Sequence, residues 1–146
     1  MAENSNGAGS RIIPALRYQD APGAIEWLCE AFGFEKYLVV PGEEDGTIAH
    51  AELVIGGSMV MLGSANSHGG NAFDQRVRPV PELNGLNSQS VYMIVDDADA
   101  HHARAIAAGA EVLMELEDRH YGGRDYSCLD LEGNAWSFGT FDPWQG

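Results

Sequence analysis

His50 and Glu52 stand two residues apart in the run TIAHAELVI. If that run is a strand, imidazole and carboxylate leave the same face, about 6–7 Å apart along it. Such a pair can exchange a proton with a bound substrate or hold a polar ligand group. It also occurs as a plain hydrogen-bonded contact, so its neighbours decide the reading. The alternate set Ala49, Ala51, Leu53 and Ile55 is wholly apolar and predicts packing on a helix, which turns His50 and Glu52 to the opposite, concave face. The same alternation in RDYSCLDLE predicts Ser127, Leu129 and Leu131 on the helix side, with Arg124, Tyr126 and Cys128 facing the cleft. Arg17, Tyr92, Met59, Met61 and Ser137 complete the expected lining. A concave sheet carrying a few convergent polar groups among aromatics and methionines is a small-molecule pocket.

Other chemistry finds little support. His101 and His102 are adjacent on a predicted helix, so their rings diverge by about 100° and do not chelate jointly. No GxGxxG joins a strand to a helix, and no GxSxG occurs. Cys29 and Cys128 are far apart without CxxC spacing, which predicts neither a disulfide framework nor a zinc knuckle. An unconventional metal site would need His50 and Glu52 to recruit His120 or Cys128.

The elements that position these residues come in two similar sets. Asp20, Gly33 and Glu35 open and close a helix-like stretch, and Asp96, Gly109 and Glu111 repeat those steps. Gly57 and Gly133 each lie 24 residues beyond the glycine that ends the helix, inside a predicted hairpin. A spacing held over two stretches of this length implies a duplicated strand-helix-strand-strand-strand unit. The expected fold is α+β: two tandem βαβββ modules, about 11–64 and 88–141, forming a curved mixed sheet around a cleft, helices on the convex side. Residues 1–10 read as a disordered tail and 11–146 as a single domain. The intervening segment 64–89 has no period and reads as a crossover before a lid. Trp136 is expected to face the helices.

The 146 residues carry a formal charge of −14, with Lys36 the only lysine. That acidity repels nucleic acid and anionic membrane surfaces, so neither is expected as a partner. No run approaches a membrane span, and the cysteine usage and lack of a secretion signal predict a cytoplasmic protein.

RYQDAPGAIEWLCEAFGFE, the TIAHAELVIGGSMVML hairpin and YGGRDYSCLDLEGNAWSFGTFDPW together resemble the vicinal oxygen chelate superfamily, which includes glyoxalase I, bleomycin-resistance proteins and extradiol dioxygenases. The resemblance covers nearly all of Arg11 to Trp144, and the IAHA segment with its glycine pair is most similar to PhnB-like and glyoxalase-like branches. It implies metal ligands on the first and last strand of each module. Matched by motif, those positions are Ile13, Met61, Ser90 and Ser137, with Gln89 if the fifth strand slips by one. Isoleucine and methionine do not serve a hard or borderline divalent ion and serine is a poor neutral ligand, so no metal and no other cofactor is expected. The resemblance further implies a homodimer whose chains close each other's clefts around an aromatic antibiotic or metabolite.

The leading expectation is therefore a metal-independent small-molecule-binding protein. One alternative is a lyase or isomerase with Glu52 as base, His50 as acid or orienting group and Arg124 beside a developing oxyanion. Another is a non-catalytic interaction module. The acidic chain would concentrate cations while Arg17 and Arg124 suit an anion or carbonyl, so the ligand's charge stays open.

Overall fold

The computed structural model describes residues 9–145, so residues 1–8 of the expected tail 1–10 lie outside the described residues, while Ser10 N–H donates to Gly57 O at 3.3 Å. Strand β1 (Ala15–Tyr18) leads into helix α1 (Ala21–Phe32). The Asp20 side chain accepts the Gly23 N–H at 3.1 Å, and Gly33 ends the helix at φ +88°. Strands β2 (Glu35–Pro41), β3 (Ile48–Ile55) and β4 (Ser58–Ser64) complete the first module. A crossover carrying the short helix α2 (Ala72–Arg76) and a 3-10 turn at Val80–Leu83 leads to the second, made of β5 (Val91–Ile94), α3 (Ala98–Ala107), β6 (Glu111–Asp118), β7 (Arg124–Leu129) and β8 (Ala135–Gly139). The α3 cap is Asp97, one residue beyond the repeat read from Asp96.

Each module is a four-stranded mixed sheet, ordered β1-β4-β3-β2 and β5-β8-β7-β6, with its first and last strands parallel. The α+β fold of two βαβββ modules is thus as expected. The helices pack on each other and lie on the convex sides, and Trp27 Nε1 donates to Ala108 O across them at 2.8 Å. Phe32 and Phe34, at the end of α1 and just beyond, reach Trp136 of the other sheet at ring distances of 5.1 and 5.9 Å. Leu53, Leu62, Trp136 and Phe138 therefore share one core between the modules. The helix-side faces of both sheets turn toward that core, and the opposite, concave faces turn away from it.

The hairpins at Gly57 and Gly133 look alike in sequence but differ in parity. Ile55 pairs with Ser58 around a two-residue Gly56–Gly57 turn. In the second module Leu129 pairs with Ala135, and Asp130 N–H donates to Asn134 O at 2.9 Å around three further residues. A change of one residue in pairing register turns every side chain of the strand over. The expectation that Arg124, Tyr126 and Cys128 face the cleft is corrected accordingly. Tyr126 and Cys128 are fully buried on the helix side, and Arg124 reaches α3 through Asp99, 3.0 Å away. Ser127 takes the concave position instead, with its Oγ 2.6 Å from that of Ser137. Leu131, expected on the helix side, lies exposed in the hairpin loop.

Candidate functional site

On β3, Ala51 and Leu53 are fully buried in the core, while His50 and Glu52 share the concave face, with His50 Nε2 2.9 Å from Glu52 Oε2. Their side chains are 41% and 21% exposed, enough for a ligand to reach them. Leu38 and Val40 on β2 pair with Glu52 and His50. Met61 on β4 pairs with Glu52 on one side and Ala15 on the other, and Met59 pairs with Val54. Val60 and Leu62 alternate into the core, which keeps both methionines on the concave side.

The next row runs from Arg17 through Gly63 toward His50. Gly63 pairs with Arg17 and follows Leu62, the partner of Ala51, so the sheet itself puts no side chain between the guanidinium and the imidazole, whose strands are roughly 10 Å apart. A Cβ at Gly63 would come within 3.0 Å of Ser67 Oγ, because the start of the crossover folds over this end of the sheet. The crossover brings His68, Phe73 and Asp74 to Arg17. Arg17 Nη2 is 3.1 Å from His68 Nδ1, and its Cζ lies 5.2 Å from the centre of the Phe73 ring. Burial pulls the Arg17 pKa below its usual value against the opposing pull of Asp74. Burial alone would raise Asp74, but the N–H groups of Gly70 and His68, both at 2.8 Å, hold it below the ordinary carboxylate range. Sequence periodicity missed this cluster because the crossover has no period. The available signal was a His, a Phe and an Asp within seven residues of a long loop.

The second concave face is tied to itself. Ser137 pairs with Tyr92 and Ser127, Tyr92 Oη donates to Phe141 O at 2.6 Å, and Arg119 Nε meets Asp125 Oδ1 at 2.6 Å. Of the expected site residues, Arg17, His50, Glu52, Met59 and Met61 thus share the first face, Tyr92 and Ser137 share the second, and Arg124, Tyr126 and Cys128 belong to neither.

The corners that the resemblance associates with a metal do not fit one. Met61 and Ser137 have Ala15 and Tyr92 as their first-strand neighbours, while Ile13 and the exposed Ser90 and Gln89 precede those strands. This donor set lacks the imidazoles and carboxylates that a divalent ion takes. Among the described residues no three His, Cys, Asp or Glu side chains gather closely enough to hold a metal ion. Cys128 is no third ligand for His50 and Glu52: it lies on the helix side, where burial pushes its thiol up to about 12. His120 packs edge-on against Tyr121. A cavity of about 650 Å³ runs between the edge strands β1 and β5, under the crossover, and Phe73 borders it.

Known proteins place this architecture. An uncharacterized protein of Mycobacterium bovis is 35% identical over 130 residues, covering 88% of this chain and 81% of its own. One of Mycobacterium tuberculosis H37Rv is also 35% identical over 130 residues, covering 88% of this chain and 72% of its own. The crystal structure of TioX from Micromonospora sp. ML1 matches at 35% identity and a TM-score of 0.69, covering 90% of this chain and 98% of its own. FosX of Listeria monocytogenes, a fosfomycin resistance protein solved with Mn(II), shares the fold at 16% identity and a TM-score of 0.58, covering 91% and 90% of the two chains. The model of the Glyoxalase/Bleomycin resistance protein/Dioxygenase superfamily matches residues 13–138, and the chain belongs to that superfamily.

Proposed function

We propose that this protein binds a small organic molecule on the concave face of its first module, without a divalent ion. The carrying observation is that Arg17, His50 and Glu52 lie on that one face with Met59 and Met61, His50 and Glu52 accessible and Ser67 of the crossover covering Gly63 between them and Arg17. Polar groups fix a ligand's orientation and the apolar floor supplies contact area. The superfamily's resistance proteins make sequestration of an aromatic antibiotic or metabolite the favoured role. A second copy would lay its own sheet over the face. Tyr37, Leu38, Val39 and Val40 on β2, and Leu113 and Met114 on β6, are all at least 37% exposed, which suits a homodimer.

A thermal-shift screen of aromatic antibiotics and 2-oxoaldehyde adducts tests the binding, since a ligand specific for the folded state raises the melting temperature. Glu52→Ala is expected to fold normally and lose the response. A response that Glu52→Ala retains would move the site elsewhere. The second reading, acid–base catalysis on an oxygenated metabolite, rests on the 2.9 Å contact between His50 and Glu52. Turnover of a screened compound that Glu52→Gln abolishes would favour it. In that case Arg17, not Arg124, is the cation on the correct face.

A further inference from the structure

The contacts of Arg17 leave two polar atoms without partners. Arg17 is 8% exposed and its buried Nε makes no hydrogen bond; Asp74 is fully buried and its Oδ1 makes none. Between them lies His68 Nδ1, 3.1 Å from Arg17 Nη2 and 3.5 Å from Asp74 Oδ1. A guanidinium only donates, so Nδ1 must accept and the imidazole proton sits on Nε2. In that tautomer Nδ1 has no proton to offer Asp74. The Asp74 orphan therefore follows from the position of that proton, and the Arg17 orphan from the lack of an acceptor at Nε.

We propose that Arg17 takes a monocarboxylate carried on a flat ligand, displacing His68, which then donates its Nδ1–H to Asp74. This rests on the binding function proposed above and names the ligand's chemical class. The carboxylate oxygens accept from Nε–H and Nη2–H, the two-pronged geometry that guanidinium and carboxylate share. The imidazole moves its proton from Nε2 to Nδ1 by exchange with water, which its 48% exposed side chain permits, so the proton count is unchanged. Arg17 Nε and Asp74 Oδ1 both acquire partners. A single negative charge matches a single guanidinium: a dianion would face Asp74 and Glu52 with one cation to hold it. Phe73, stacked on Arg17 and 46% exposed, offers its ring to a planar body.

The test uses the full chain labelled with 15N-histidine, titrated with 1-naphthoate and, separately, with the uncharged 1-naphthamide. Naphthoate is expected to bind and to convert the His68 resonances from the Nε2–H to the Nδ1–H pattern. Naphthamide is expected to bind at least about tenfold more weakly and leave that pattern unchanged. Arg17→Lys, which keeps the charge but not the fork, should weaken naphthoate by about tenfold or more. Equal binding of acid and amide overturns the proposal, as does naphthoate binding with His68 unaltered, or no naphthoate binding up to its solubility limit. Binding of neutral aromatics that Glu52→Ala removes would leave the function above standing while this inference fell.

Discussion

The two modules share a chain path and divide the labour. In the second, the hairpin loop is a structural knot. Asp130 Oδ2 accepts from Tyr18 Oη at 2.6 Å and Trp136 Nε1 at 3.1 Å, while Oδ1 accepts the N–H groups of Glu132 and Asn134. Glu132 then reaches back to the first module, taking the N–H groups of Gln19 and Asp20 at 2.7 Å each. In the first module the equivalent turn is Gly56–Gly57, with no side chain to make such ties, and it borders an open cavity of about 600 Å³ beside the start of α3. The difference extends to the sheet faces. The second binds its own polar groups into Ser127–Ser137 and Arg119–Asp125, whereas the first leaves His50 and Glu52 partly exposed. A duplicated unit can thus hold the fold through one copy, and the proposed function assigns binding to the other.

That division is open to attack by substitution. Trp136→Ala should cost the most, about 3–5 kcal/mol in chemical denaturation, because it empties the shared core and strips a donor from Asp130. Asp130→Ala should cost about 3 kcal/mol, since several buried donors lose their acceptor together. Glu132→Ala should cost about 1 kcal/mol, the worth of its bonds to the start of α1. Glu52→Ala should change stability by less than about 0.5 kcal/mol, as a partly exposed polar contact contributes little, while weakening ligand about tenfold. If Glu52→Ala proved as destabilising as Asp130→Ala, the first module would be structural as well.

A pH series sharpens the same contrast. Burial lowers the His101 pKa, and the ring lies against Phe138 at 4.0 Å while its Nδ1 lies 2.6 Å from the Tyr126 hydroxyl oxygen. The unfolded chain thus binds a proton that the folded chain resists. The neutral ring's stabilising effect is complete above the unfolded value of about 6.5 and declines as the pH falls below it. His101→Phe should flatten that acid-side decline in melting temperature. An unchanged slope would place the titrating group elsewhere.

The repeat was legible because helix caps, closing glycines and strand lengths leave a spacing that survives divergence. Strand faces were legible only where hairpin parity could be assumed. For β3, with its two-residue turn, the alternation reads correctly. For β7 the sequence around Gly133 does not announce an odd-numbered loop, and the alternation puts Arg124, Tyr126, Cys128 and Ser127 on the wrong sides. The Arg17 cluster was illegible for another reason: His68, Phe73 and Asp74 come to β1 through an aperiodic crossover, and no spacing rule connects residue 17 with residue 68.

Elemental analysis of the purified protein, paired with one compound screen run before and after treatment with a chelator, tests the metal-free binding face most directly. The expected result is no stoichiometric divalent metal and an unchanged set of stabilising compounds, each losing its effect in Glu52→Ala. Stoichiometric metal, or stabilisation that vanishes with the chelator, would contradict it.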